Sequence, residues 1–203
     1  MYGYITDVDI CNLALNYLGK GSIESLDERS ELARTCKLHY DRYRRMALTA
    51  TTWGFALKTQ PLRKLDIEIP GYKAIYEYPD TALELVRVYE KEEAERKMDY
   101  RNSFYLQQGP DGGRVLCTNE DLKNPYVDLI EDVEDPTLFT DGFIEALSHY
   151  LAYGMAQALT GSESKAQTEM QYYNMSLQQE AFRNERERKR EPHWPTRYFD
   201  GRF

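Results

Sequence analysis

Two regions of helical periodicity, one near each end of the chain, enclose a middle region with the short repeat of β-strands. In the outer regions, apolar residues recur every three or four positions, which is the spacing of one face of a helix. From Thr51 onward the period changes, and short segments rich in aromatic and β-branched residues are separated by Pro and Gly. The pattern therefore predicts helices that pack on one another, interrupted by a sheet.

The outer regions predict four helices. Thr6 or Asp7 can cap the first helix, and Gly19 can end it with a left-handed residue. Four helices of these lengths typically pack as a bundle. The predicted ranges are Asp7 to Leu18, Asp27 to Thr49, Pro136 to Leu159 and Ser164 to Arg190.

Helix two has one apolar face and several arginines. The arginines are expected to be solvated or to lie at an interface, because charged side chains are rarely buried without a partner. Its apolar positions are Leu32, Cys36, Tyr40, Tyr43 and Ala47, and its arginines are Arg34, Arg42, Arg44 and Arg45.

The middle region predicts a small antiparallel sheet. Pro110-Asp111-Gly112-Gly113 has the composition of a hairpin turn. The predicted strands are Phe55 to Leu62, Ala82 to Tyr89, Phe104 to Gln107, Arg114 to Cys117 and Tyr126 to Ile130. The fold class predicted is mainly α: a four-helix bundle with a small antiparallel β insertion between helices two and three, and an extended C-terminal arm. The predicted divisions are 1–52 and 135–190 for the bundle, 53–134 for the insertion and 191–203 for the arm.

The arm is the main candidate for binding a partner. Two prolines disfavour a regular helix there, and Trp, Tyr and Arg concentrate binding energy at interfaces. We predict that the arm docks on another surface, although it could also fold back on its own subunit. The candidate contact residues are Trp194, Arg197, Tyr198, Phe199, Arg202 and Phe203.

Composition limits the function classes. The net charge of −8 argues against a broad nucleic-acid-binding surface, although DNA could pass a like-charged wall without sticking to it. The N-terminus has no signal-peptide pattern, and no apolar stretch approaches the length of a membrane span, so synthesis in a cytosol is expected. The 17 tyrosines suit subunit interfaces, because each combines a large ring with a polar group.

Catalytic and metal-binding patterns are weak. Cys36 and His39, with Cys11 and Cys117, fit no established zinc spacing, and buried thiols are the simpler interpretation. The acidic run from Asp128 to Asp135 is interpreted as a helix N-terminus plus a solvated strand end. His149 and His193 are isolated in the sequence, and no nucleotide-binding, hydrolase or metalloprotease motif is found. We therefore predict that the protein is not an enzyme and needs no cofactor or metal.

Several segments, in order, resemble the phage head–tail adaptor family known as tail tubular protein A. Together they cover most of the chain, with a poor match from 90 to 116. The residues that carry the resemblance are Asn12-Leu13-Ala14-Leu15, Tyr17-Leu18-Gly19, Ile23, Ser25-Leu26-Asp27-Glu28, Ala33, Cys36, Tyr40-Asp41, Arg44, Trp53-Gly54-Phe55-Ala56-Leu57, Tyr78-Pro79-Asp80, Leu83, Val86, Glu134-Asp135-Pro136-Thr137-Leu138-Phe139, Phe143, Glu145-Ala146-Leu147, Leu151-Ala152, Leu159-Thr160-Gly161-Ser162, Tyr173, Ala181, Trp194 and Arg197.

The resemblance implies a structural virion protein located in the neck or tail and assembled in the host cytoplasm. It implies a ring of twelve copies below the portal that extends the DNA channel and provides the attachment site for the tail. The implied partners are other copies of the chain, the portal protein, a tail or nozzle protein, and DNA that passes without specific binding; no membrane is implied. The alternative left open is a cytosolic helical regulatory or nucleic-acid-binding module.

Overall fold

The computed structural model describes residues 4–90 and 104–187, and the description below concerns those residues. Two helices come first, six strands follow, and two long helices come last. The helices are α1 (Asp7–Tyr17), α2 (Glu31–Ala50), α3 (Asp141–Thr160) and α4 (Glu163–Glu187), with a 3-10 turn at Pro136–Leu138 before α3. The strands are β1 (Leu57–Pro61), β2 (Ala74–Glu77), β3 (Ala82–Glu90), β4 (Phe104–Gln108), β5 (Arg114–Thr118) and β6 (Pro125–Glu131).

Side-chain oxygens and one glycine define the helix ends. Thr6 and Asp9 form a capping box at the start of α1, which satisfies two backbone N–H groups that have no helical acceptor. Ser30 caps α2, so this helix begins four residues later than the predicted Asp27. Thr140 caps α3, and Gly161, with a φ of 64°, ends it in the left-handed region that favours glycine.

Helix α3 is the centre of the helical part. It packs against α1, α2 and α4, whereas α1 and α2 touch each other much less. Buried residues therefore occur almost all round α3, from Phe143 to Ala156, as expected for a helix without a solvated side. Small residues allow the close approach: Gly154 lies directly under the ring of Tyr43, and Ala146, Ala152 and Ala156 are fully buried.

The strands form two antiparallel sheets of three strands each. In the first sheet, β6 is central and pairs with β1 and β3, with Leu57 opposite Ile130 and Val88 opposite Val127. In the second sheet, β5 is central and pairs with β2 and β4. A separate hydrophobic core joins residues from both sheets, including Leu129 from the first and Tyr76 from the second.

The mainly α fold class predicted from the sequence is therefore wrong. Two three-stranded antiparallel sheets make this a mixed α and β fold, and the strands are not a small insertion on a bundle. The physical reason is that the middle region buries enough apolar surface to build its own core. Strand β2 was missed, although the apolar Ala74-Ile75-Tyr76 between two Pro-containing turns is the pattern of a short buried strand.

Aromatic side chains fill the joint between the helices and the first sheet. Trp53 is 1% exposed, packs edge-on against Phe143 with ring centroids 4.9 Å apart, and donates its indole N–H to the Ala47 carbonyl at 2.9 Å. Phe55 contacts Phe139 and Phe143. Ile130 of β6 belongs to the same hydrophobic cluster, so these rings lie between the helices and the first sheet.

Candidate interaction surfaces

The exposed side of α2 is basic and partly apolar. Arg34, Arg42 and Arg45 are exposed at helical spacing, and Leu38 and Met46 lie among them at 75% and 41% exposure. Apolar side chains beside arginines are typical of protein contacts rather than of a fully solvated helix face. This face, defined by Arg34, Leu38, Arg42, Arg45 and Met46, is called the basic face below.

Arg44 does not belong to the basic face, which corrects the sequence prediction. Its side chain is 1% exposed, and its Nη1 atom donates both to Asp132 Oδ1 and to the Val133 carbonyl at 2.6 Å. Arg45, on the next position of the helix, reaches the other oxygen of Asp132 at 2.9 Å. The buried arginine thus ties α2 to the segment that follows β6, because the carboxylate and carbonyl replace its hydration.

The acidic run from Asp128 to Asp135 is not the solvated strand end that was predicted. Asp128 is 4% exposed and accepts hydrogen bonds from Thr59 at 2.5 Å, Arg87 at 2.5 Å and Tyr89 at 3.0 Å. These partners lie on both neighbouring strands, so Asp128 links all three strands of the first sheet. Burial and the Asp128 carboxylate raise the pKa of Tyr89. The alternation of polar and apolar residues along β6 could not predict the burial of Asp128, because its hydrogen-bond partners are distant in sequence.

An acidic cleft lies where three segments meet. It has a volume of about 580 Å³ and is lined by residues 4–7 before and at the start of α1, by Lys37, Tyr40 and Asp41 of α2, and by residues 134–137. Leu26 also contributes to the wall. The described residues that line the cleft carry four carboxylates and one ammonium group. The carboxylates are Asp7, Asp41, Glu134 and Asp135.

Two charged groups of the cleft, on Lys37 and Asp135, already have partners within the chain. Lys37 pairs with Asp27 at 2.6 Å, which raises the pKa of the lysine and lowers that of the aspartate, and Asp27 does not line the cleft. Asp135 accepts bonds from the hydroxyl and the backbone N–H of Thr137, which lower its pKa. The single lysine of the cleft is therefore already engaged, and the surplus of negative charge remains.

His149 is not isolated, as the sequence suggested. Its Nδ1 atom lies 2.7 Å from Glu169 and its Nε2 atom 3.1 Å from Glu145, and its ring stacks on Tyr17 with centroids 4.3 Å apart. Tyr17 also donates to Glu145, and burial together with this carboxylate raises the pKa of Tyr17 to about 12. This cluster joins α1, α3 and α4. Pairing of an imidazole with carboxylates also occurs in acid–base sites, but the His149 ring is buried and both of its nitrogens are already engaged by carboxylates.

Helix α4 presents an apolar stripe to solvent. Tyr172, Met175 and Phe182 are 47%, 53% and 68% exposed and recur at spacings close to whole helical turns. The helical pattern of the sequence did not single out this stripe, because the inward face of α4 carries the more regular apolar repeat. The stripe is a second surface suited to protein contact.

The cysteines do not assemble into one site. Cys11 and Cys36 are adjacent and fully buried between α1 and α2, whereas Cys117 lies in a third cluster on the outer face of the second sheet. Within the described residues, no group of three or more His, Cys, Asp and Glu side chains is arranged to hold a metal ion. None of the helices in this part of the chain has the length and hydropathy needed to cross a bilayer.

The candidate arm residues lie outside the described residues. This applies to Trp194, Arg197, Tyr198, Phe199, Arg202 and Phe203, so their assignment to partner binding stays a prediction.

The chain matches no protein-family model, and no curated protein shares significant sequence similarity with it.

Proposed function

We propose that this protein is a structural virion protein, a head–tail adaptor that forms a ring below the portal, extends the DNA channel and provides the attachment site for the tail. The observation that carries the proposal is that several segments of the sequence resemble the tail tubular protein A family and occur in the same order. Its mechanism is assembly rather than catalysis.

The positions of the resembling residues support the proposal. Asn12 exchanges two hydrogen bonds with the backbone of Ile23, at 3.0 and 2.8 Å, and so holds the turn after α1. Trp53 and Phe55 fill the joint between helices and sheet. Asp135 caps the 3-10 turn that leads into α3. Residues that hold turns, fill joints and cap helices help to determine a fold. Two proteins with the same fold are therefore expected to share such residues at matching positions.

The distribution of charge suits a ring. A closed ring forms when one face of each subunit binds a different face of the next. The basic face of α2 can meet acidic surface of the next subunit outside the cleft, because the chain as a whole carries a net charge of −8, and these are the two unlike faces that such a contact requires. The apolar stripe on α4 adds a surface for the portal or the tail.

Electron microscopy of the protein mixed with the portal protein of the same virus tests the proposal. The expected result is a portal lengthened by a ring of this chain. Arg34→Glu/Arg42→Glu should reduce ring formation at least tenfold, whereas Lys20→Glu/Lys73→Glu, which makes the same charge change at exposed sites outside α2, should not. A stable two-fold dimer that does not bind the portal would contradict the proposal and favour the alternative of a regulatory module.

A further inference from the structure

The acidic cleft carries carboxylates that are not paired with cationic groups of the described residues. Among the described residues that line it, the only ammonium group, on Lys37, already pairs with Asp27. Asp41 is 80% exposed and its contact with Arg44, at 3.7 Å, is weak, and Glu134 is exposed. Carboxylates exposed in a concave site favour a ligand that brings guanidinium or ammonium groups.

Tyr40 provides a second and independent observation. It lines the cleft and is 6% exposed, and its hydroxyl has no hydrogen-bond partner in the described chain. Native structures rarely leave an enclosed hydroxyl unbonded, and each exception calls for an explanation such as a missing ligand. Burial raises the pKa of this hydroxyl, which therefore stays protonated; its oxygen is enclosed behind the cleft wall, so it donates to a docked segment only when the side chain shifts toward the cleft.

The apolar wall of the cleft suits an aromatic ligand side chain. Tyr4 is 85% exposed at its rim, and Ile5, Leu26 and Pro136 complete the wall. A segment that alternates cationic and aromatic residues would match both kinds of surface.

The C-terminal segment of the chain has this chemistry. Glu180 and Arg183 of α4 lie against Gly142, at the start of α3, so α4 runs toward the end of the helical body where residues 134–137 line the cleft. The sequence beyond the described residues, 188–203, contains five Lys and Arg residues against two acidic ones, with Trp194 and Tyr198 among them. Sixteen residues can span roughly 50 Å, enough to reach a neighbouring subunit.

We propose that the acidic cleft of one subunit receives segment 188–203 of the adjacent subunit. Arg197 and Arg202 pair with Asp41 and Glu134, and Trp194 or Tyr198 contacts the apolar wall. The inference rests on the proposed ring, because the ring is what supplies a neighbouring copy.

Photo-cross-linking of the full chain tests the proposal. A photoreactive phenylalanine analogue replaces Tyr198, and equal amounts of ¹⁴N- and ¹⁵N-labelled protein are mixed, irradiated and digested for mass spectrometry. We expect cross-links to peptides that contain residues 4–7 or 134–137, about half of them joining peptides of unlike isotope. Cross-links that map elsewhere would overturn the proposal, as would cross-links within single molecules only or the absence of cross-links.

Charge variants test the pairing. Asp41→Lys/Glu134→Lys should reduce the cleft cross-links at least tenfold, and adding Arg197→Glu/Arg202→Glu to the same chain should restore them. The matched control is Asp66→Lys/Glu68→Lys, which makes the same charge change at exposed positions outside the cleft and should leave the cross-links unchanged. Equal loss in the control, or no recovery in the charge swap, would contradict the pairing.

The two proposals fail in different ways. Rings on the portal with cross-links outside the cleft would overturn the docking site alone. Cleft cross-links between copies without rings on the portal would support the docking site and overturn the adaptor function.

Discussion

Replacing Arg44 by Met tests whether the buried ion pair holds α2 to the end of the first sheet. Met is close to Arg in length and keeps the packing of the aliphatic stem, so the variant removes mainly the charge and its hydrogen bonds. Two acceptors lose a donor: Asp132 and the Val133 carbonyl, each 2.6 Å from Nη1.

The expected cost follows from these contacts. Breaking a buried pair by removing one partner typically costs about 3–5 kcal/mol. Asp132 keeps its bond to Arg45 and its side chain is 17% exposed, which lowers the cost. The substitution also removes the buried Nε atom of Arg44, which has no hydrogen-bond partner in the described chain, and this lowers the cost further. We therefore expect Arg44→Met to lower the free energy of unfolding by about 2–3 kcal/mol.

Urea unfolding followed by circular dichroism measures this change. Arg45→Met is the matched control, because Arg45 bonds to the same carboxylate with a side chain that is 54% exposed; it should cost at most about 1 kcal/mol. Replacing the pair with apolar residues, as in Arg44→Met/Asp132→Leu, should recover part of the loss. If Arg44→Met cost no more than Arg45→Met, the argument that burial makes this pair important would be refuted.

Three further predictions concern other parts of the core. Trp53→Ala should lower the free energy of unfolding by about 3–5 kcal/mol, measured by the same method, because it removes a buried ring that packs on Phe143; unchanged stability would show that the ring is not part of the joint. Tyr17 has a folded pKa raised to about 12 from an ordinary value of 10, so its contribution to stability is complete below pH 10 and is lost as the pH rises toward 12. The absorbance of tyrosinate at 295 nm should show several late-titrating groups, because burial also raises the pKa of other tyrosines, and Tyr17→Phe should remove one of them; loss of a normally titrating group instead would contradict the buried contact with Glu145. Cys11 and Cys36 are fully buried, so neither should react with Ellman's reagent until urea unfolds the protein; rapid labelling of the native chain would be inconsistent with the core.

The proposals differ in their support. The proposal of a ring rests on a sequence resemblance together with complementary charge. The proposal that the cleft binds segment 188–203 rests on the positions of carboxylates and an unpaired hydroxyl in the described chain. Experiments on the cleft are therefore informative even where the tail partner is unknown.

Local chemistry allowed the existence and order of the four helices to be predicted, although α2 and α3 begin four and five residues later than predicted. Helix α1 begins at Asp7 as expected, because a capping side chain and an apolar repeat act within a few residues of each other. Five of the six strands were also expected, and Gly112 lies in the hairpin turn with a φ of 85°. Signals of this kind depend on neighbours in sequence, so the sequence alone carries them.

The extent of the β structure and the sites required the tertiary structure. Leu57 pairs with Ile130, and Arg44 meets Asp132, across long stretches of chain, and no periodicity encodes such pairings. Helical spacing from Tyr40 and Ala47 places Arg44 on the buried face of α2, unlike the exposed Arg42, but only the fold brings it the Asp132 carboxylate that makes its burial possible. The acidic cleft likewise exists only because three distant segments converge. The sequence by itself determined the local elements, and packing decided which charges are buried, which are paired and which remain open to a partner.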